Sequence, residues 1–228
     1  MREIATNSIT GVPILTFKEF LTLMFYHVEG QRFEYLPVHD EIIDGLCGYF
    51  TASNSKNLAI NIPPRCGKST LASYYVAYGL TYIPDSQWIY TSYSTKISNH
   101  KGIYEVLRIL KNDEYKKLFG GIEFIKETSN EVITAQHGKI LAVSTGTAIT
   151  GLGAGRYRDG FSGAIIIDDP IKPEDSFSEV MRENNIRYYR NTLKSRIDKA
   201  NTPIICIMQR IHPDDLCGYF QAEEPESW

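Results

Sequence analysis

Apolar and polar positions along the chain change period several times, and each change marks an element. Phe17, Phe20, Leu21, Met24 and Phe25 fall on one stripe, which predicts a helix over Phe17–Val28. After a break at Pro37, the stripe Ile42, Ile43, Leu46 and Tyr49 predicts a second helix over His39–Phe50. Ser53-Asn54-Ser55 reads as a polar turn. Short apolar runs then alternate with longer segments. Leu58–Ile62, Trp88–Tyr93, Lys139–Ser144, Ala164–Ile167 and Pro203–Met208 read as strands, and Ile122–Ile125 with Glu131–Ala135 as a hairpin. Helices are predicted over Ser69–Leu80 (ended by Gly79 and Pro84), Ser98–Leu110 and Ser176–Arg196, with a last one starting at Pro213-Asp214. Continuous apolar strands separated by helices imply a mostly parallel sheet covered on both faces. The expectation is an α/β fold, with a helical segment, 1–56, packed on a core, 57–228.

Composition narrows this picture. With 228 residues, 43% of them hydrophobic, the chain can bury one sizeable core. A formal net charge of −3 gives no global basic field, so contact with a nucleic acid would need a local patch. Cys47, Cys66, Cys206 and Cys217 form no C-x-x-C pair and the histidines are scattered, which favours reduced structural thiols over a zinc site. Arg2 and Glu3 precede a mixed segment instead of a signal, and no stretch approaches a membrane span. A cytosolic protein with no membrane partner is expected.

Chemistry enters at Pro63-Pro64-Arg65-Cys66-Gly67-Lys68-Ser69-Thr70, between a predicted strand and a predicted helix. Gly67-Lys68-Ser69 matches the end of a phosphate-binding loop, although Ile62 stands where the consensus has its first glycine. Pro63 and Pro64 carry no N–H, so a phosphate cradle would be built from Arg65, Cys66, Gly67 and the helix start through Thr70. Lys68 would reach the β- and γ-phosphates of ATP, and the Ser69 hydroxyl would ligate Mg²⁺. Arg65 could stabilise charge on the transferred group; a surface arginine paired with a nearby acid is the alternative.

Downstream, Ala164-Ile165-Ile166-Ile167-Asp168-Asp169 reads as a buried strand ending in two acids. Asp168 fits the Mg²⁺-coordinating position and Asp169 that of the carboxylate that orients the attacking water; an Asp-Asp-Pro turn after a strand is the alternative. Two predicted strands, Trp88–Tyr93 and Lys139–Ser144, lie between the motifs in sequence. P-loop classes that insert a strand between the two motif strands, the ASCE type, are motors and helicases more than nucleotide kinases.

Taken in order, these pieces resemble the large terminase subunit of tailed bacteriophages. Pro63–Ser69 is similar to that family's deviant Walker A loop with its arginine, and Ser144-Thr145-Gly146 with Thr150–Gly155 to its glycine-rich segment. Ile166–Lys172 is similar to its Walker B, and Ile207–Gly218 to its coupling strand and the stretch that follows. The resemblance implies an ATPase domain of a DNA-packaging motor, with ATP and Mg²⁺ as cofactors. It implies Asp169 as catalytic carboxylate and Gln209 as the polar sensor that links γ-phosphate loss to movement. Arg156, or Arg158, is the candidate for an arginine acting in a neighbouring subunit. Tyr35, Pro37 and His39 fit the place of the adenine contact, with a core or capping role for His39 as the alternative. Implied partners are double-stranded DNA, the portal protein, the small terminase subunit and further copies in a ring, in the cytoplasm of the infected bacterial host. The family also carries a nuclease domain of RNase H type, expected to be absent here, so ATP hydrolysis without DNA cleavage is expected. A helicase-like remodelling ATPase and a nucleotide-binding assembly module with little turnover are the other readings.

Overall fold

The computed structural model describes residues 13–52, 56–156, 159–198 and 202–228; the Ser53–Ser55 turn and Arg158 lie outside them. Two helices lead. α1, Phe17–Glu29, starts at a capping box in which Thr16 and Glu19 satisfy each other's backbone N–H, and ends on left-handed Gly30. α2, Pro37–Phe50, takes Pro37 as its first residue instead of breaking there, because the first turn has no use for that N–H.

The remainder alternates. Strand β1, Leu58–Asn61, feeds α3, Lys68–Tyr82, and β2, Gln87–Ser92, feeds a helical stretch α4 over 95–110. A π turn, His100–Tyr104, interrupts α4. Then come α5, Asp113–Phe119, and strands β3, Phe124–Glu127, β4, Glu131–Thr134, and β5, Lys139–Ser144. Strand β6, Ile165–Asp168, precedes α6, Glu179–Tyr188; β7, Ile204–Met208, and α7, Leu216–Glu223, close the described chain.

Three predicted elements are corrected. Gly79 does not end α3 but lies inside it, where a Cβ would come within 2.2 Å of the Trp88 ring. The long helix over Ser176–Arg196 is broken, because Ser178 is extended and a π turn, Tyr189–Leu193, follows Tyr188. That wide turn lets the sequence neighbours Tyr188 and Tyr189 both enter the core. The last helix starts at Leu216, not Pro213, capped by the Asp215 side chain on the Gly218 N–H.

The sheet has seven strands in the order β1-β7-β6-β2-β5-β4-β3. Its first five are parallel, and β4 and β3 continue it antiparallel. The strand that separates β1 from β6 is therefore β7, which comes last in sequence. The four strands that intervene in sequence, β2 to β5, all lie beyond β6. The class is the one anticipated, but a different strand provides the insertion.

Strand residues alternate between two cores. Ile60, Tyr90, Ile166, Ile205 and Ile207 face α1 to α5, whereas Ile89, Ile165, Ile167, Cys206 and Met208 face Tyr189, Leu193, Leu216 and Phe220. On the first side, Phe17 and Phe20 of α1 pack edge-on against Tyr75 and Tyr78 of α3. No helix of the described residues is long and apolar enough to cross a membrane.

Candidate active site

Five parallel strands point their C-terminal ends at one edge, and the motif residues gather there. After β1, the chain turns through residues 62–67 with Arg65 at φ 64° and Gly67 at φ 74°. Left-handed backbone suits glycine but crowds an arginine Cβ, at a cost of about 1–2 kcal/mol. The turn delivers Lys68 and Ser69 as the first residues of α3, where backbone N–H groups have no carbonyl one turn back. Cys66 and Thr70 are half-buried beside them.

Two contacts join this loop to the end of β6, about a hundred residues away. Ser69 Oγ donates to Asp168 Oδ1 at 3.0 Å, and Lys68 Nζ donates to Asp169 Oδ1 at 2.9 Å. Lys68 is buried, with 7% of its side chain exposed, while Asp169 keeps 31%. Asp168 is buried and also accepts from the Tyr90 hydroxyl at 2.7 Å. Burial pushes its carboxyl up to about 6, against the hydrogen bonds from Tyr90 and Ser69. Two hard oxygens 3.0 Å apart, one of them a carboxylate short of positive charge, suit a hydrated Mg²⁺.

Asp169 is itself left-handed, at φ 42° and directly before Pro170. Its N–H bonds the Ile207 carbonyl and its own carbonyl accepts from Tyr93 N–H, which hold it in that unfavoured region. Of the four described non-glycine residues with positive φ, Arg65 and Asp169 both sit at this edge, so strain collects where the motif residues meet. Gln209 follows β7 and lines a cavity of about 110 Å³ with Asp169, Tyr93 and Pro170. The structure thus brings together Arg65, Cys66, Gly67, Lys68, Ser69, Thr70, Asp168, Asp169 and Gln209. Arg65 is exposed and has no acidic partner among the described residues.

Arg156 and Tyr35 are held away from the loop, whereas His39 adjoins it. Arg156 lies at the opposite edge of the sheet, where its guanidinium donates to the carbonyls of Asp85 and His137. Reaching a neighbour's phosphates would require giving up both bonds. His39 is buried and doubly engaged: Nδ1 accepts from Leu36 N–H, which leaves Nε2 to donate to the Cys66 carbonyl at 2.8 Å. It caps α2 and supports the loop from below, which is the capping alternative. The Tyr35 hydroxyl bonds Thr22 and the Lys18 carbonyl on α1, so its polar end points at α1. The open cleft beside the loop, of about 390 Å³, is lined by His39 together with Phe33, Arg32, Gln31, Arg65 and Thr70, and not by Tyr35. Tyr90 and Phe33 were missed in the sequence. A tyrosine inside an apolar strand gives no sign of which acid it will face.

No family model matches the sequence, and neither does any curated protein. Solved structures do match in shape. The HK97 bacteriophage large terminase superposes with a TM-score of 0.59 at 14% identity, over 92% of this chain and 43% of that one. The large terminase from a thermophilic bacteriophage gives a TM-score of 0.52 at 12% identity, over 81% of this chain and 41% of its own. The chain spans less than half the length of either protein, and at such identities the likeness is one of fold: its α/β sheet, mostly parallel and flanked by helices, is that of a bacteriophage large terminase.

Proposed function

We propose that this chain is the ATP-hydrolysing motor domain that drives double-stranded viral DNA into a procapsid. One observation carries the reading: Lys68 and Ser69, at the start of α3, are bonded to Asp169 and Asp168, at the end of β6, on the edge where the parallel strands end. The terminase-like fold supports it. In this reading Lys68 and the loop N–H groups take the triphosphate, and Arg65 faces the γ-phosphate. Ser69 and Asp168 hold Mg²⁺, which neutralises charge on the phosphate oxygens when bound. Asp169 orients the attacking water. It is bonded to Lys68 here, so phosphates that draw Lys68 away would release the carboxylate for that task. Gln209 registers loss of the γ-phosphate, a role supported by the cavity it shares with Asp169. The division into 1–56 and 57–228 belongs to this proposal, as do the portal protein, the small terminase subunit, a ring of copies and the cytoplasm of the infected host.

The test is hydrolysis by the whole chain with DNA and portal present. Lys68→Ala is expected to reduce it to background, and Arg65→Ala to slow it. A wild-type chain that hydrolyses no ATP under those conditions would overturn the motor reading in favour of an assembly module. DNA-stimulated strand separation would favour the helicase reading.

A further inference from the structure

A second polar cleft, of about 220 Å³, opens on the other side of Thr70. Phe25 and Thr70 line both it and the larger cleft beside the loop, so the two adjoin across those side chains. Into the smaller one faces Tyr74, one turn further along α3, only 2% exposed and with no partner for its hydroxyl among the described residues. A buried hydroxyl left unpaired costs roughly 1–3 kcal/mol, so its presence calls for an occupant that bonds it.

The rest of the wall is equally specific. Arg108 donates to Glu105 at 2.8 Å and to both carboxylate oxygens of Glu29, at 3.2 and 3.4 Å, which orients two carboxylates along the cleft. Lys101 comes from the π turn of α4, and its carbonyl accepts from Ser73 Oγ at 2.8 Å. A π turn widens the helix by one residue, and such turns recur at functional positions. The same turn packs on Tyr90, the residue that holds Asp168: a Cβ on Gly102 would lie 2.7 Å from the Tyr90 Cβ. Fixed carboxylates, an ammonium group and a phenol, with little net charge, suit a hydroxylated ligand and not a phosphate.

We propose that this cleft is the sugar subsite of the bound nucleotide. Glu105 accepts from a ribose hydroxyl, the Tyr74 hydroxyl bonds the sugar, and the base extends from Thr70 into the larger cleft against Phe33. The inference rests on the ATP reading of the loop and adds the residues that distinguish a ribonucleotide from a deoxyribonucleotide.

Calorimetric binding of ATP, 2′-deoxy-ATP and 3′-deoxy-ATP to the whole chain with Mg²⁺ tests it. At least one deoxy form is expected to bind roughly tenfold more weakly than ATP, the loss of one hydrogen bond to a charged group. Glu105→Gln and Tyr74→Phe should each weaken ATP by about that factor and bring ATP and the deoxy form closer together. Tyr74→Phe removes an unpaired buried hydroxyl, so its Tm should hold or rise while affinity falls, which a merely structural tyrosine would not do. Equal affinity for all three nucleotides in the wild type overturns the sugar subsite alone. So do variants that weaken all three alike. Failure of every nucleotide to bind overturns the ATP reading with it.

Discussion

Asp168 sits where water cannot solvate its charge, and its carboxyl rises to about 6 in consequence. A folded-state value above the unfolded one, about 3.9, means that the native state holds the proton more tightly. The stability this lends is complete below about pH 4 and is lost as pH rises through about 6. Above that, the native state carries a buried anion, which a divalent cation beside Ser69 would relieve. Mg²⁺ is therefore expected to raise Tm at pH 7.5 and to do so much less at pH 5, where protons compete for the same oxygens. An equal Mg²⁺ effect at both pH values would place the ion elsewhere. For Asp169, removal of charge separates binding from chemistry: Asp169→Asn should retain ATP while turnover falls by roughly 10²–10⁴, as for a lost general base. Unchanged turnover per bound nucleotide would remove the residue from that role. These two acids, with Lys68 and Ser69, were legible because each stands in a short local pattern. Tyr90, Tyr74 and Phe33 were not, since their parts depend on burial and on neighbours remote in sequence.

Elements were legible where one apolar period ran unbroken, and α1, β2 and β5 fell within a residue or so of their predicted bounds. Two of the misses share a cause. π turns at His100–Tyr104 and Tyr189–Leu193 carry no periodic signature, so the sequence reads as continuous helix through the one and as a single long helix through the other. Gly79 misled for the opposite reason: glycine is a common helix stop, but here it makes room for Trp88. Gly79→Ala should accordingly be harmful despite alanine's advantage of about 1 kcal/mol as a helix former. A Cβ 2.2 Å from the indole forces a backbone or ring shift, worth about 1–3 kcal/mol as for other overpacked cores. The net change should appear as a lower urea midpoint with little change in slope; a higher midpoint would mean that α3 moves away from β2 freely.

At the scale of the molecule, a parallel sheet covered on both faces was readable from apolar strands alternating with helices, but strand order was not. Each strand's composition states that it is buried, not beside which neighbour. The helices ahead of β1 belong to the same core: α1 and α2 bury Phe17, Phe20, Ile43 and Leu46 in the cluster that holds α3 and one face of the sheet. The chain should therefore melt in a single transition, and a version starting at Lys56 should be insoluble or unfolded. Two resolved transitions, or a stable shortened chain, would show that the leading helices form a unit of their own.

The place of β7 has a mechanical consequence. It is hydrogen-bonded on one side to β1, which leads into the phosphate-loop sequence, and on the other to β6, which ends in the acid pair. A strand gripped along both flanks cannot slide against either, so it behaves as a fixed rail between them. Displacement at its end can leave only through the segment after Gln209, where Arg210 grips the buried Asp215 at 2.9 Å and Asp215 in turn holds the first turn of α7. In the proposed motor, α7 is the element through which a displacement at Gln209 would leave the sheet.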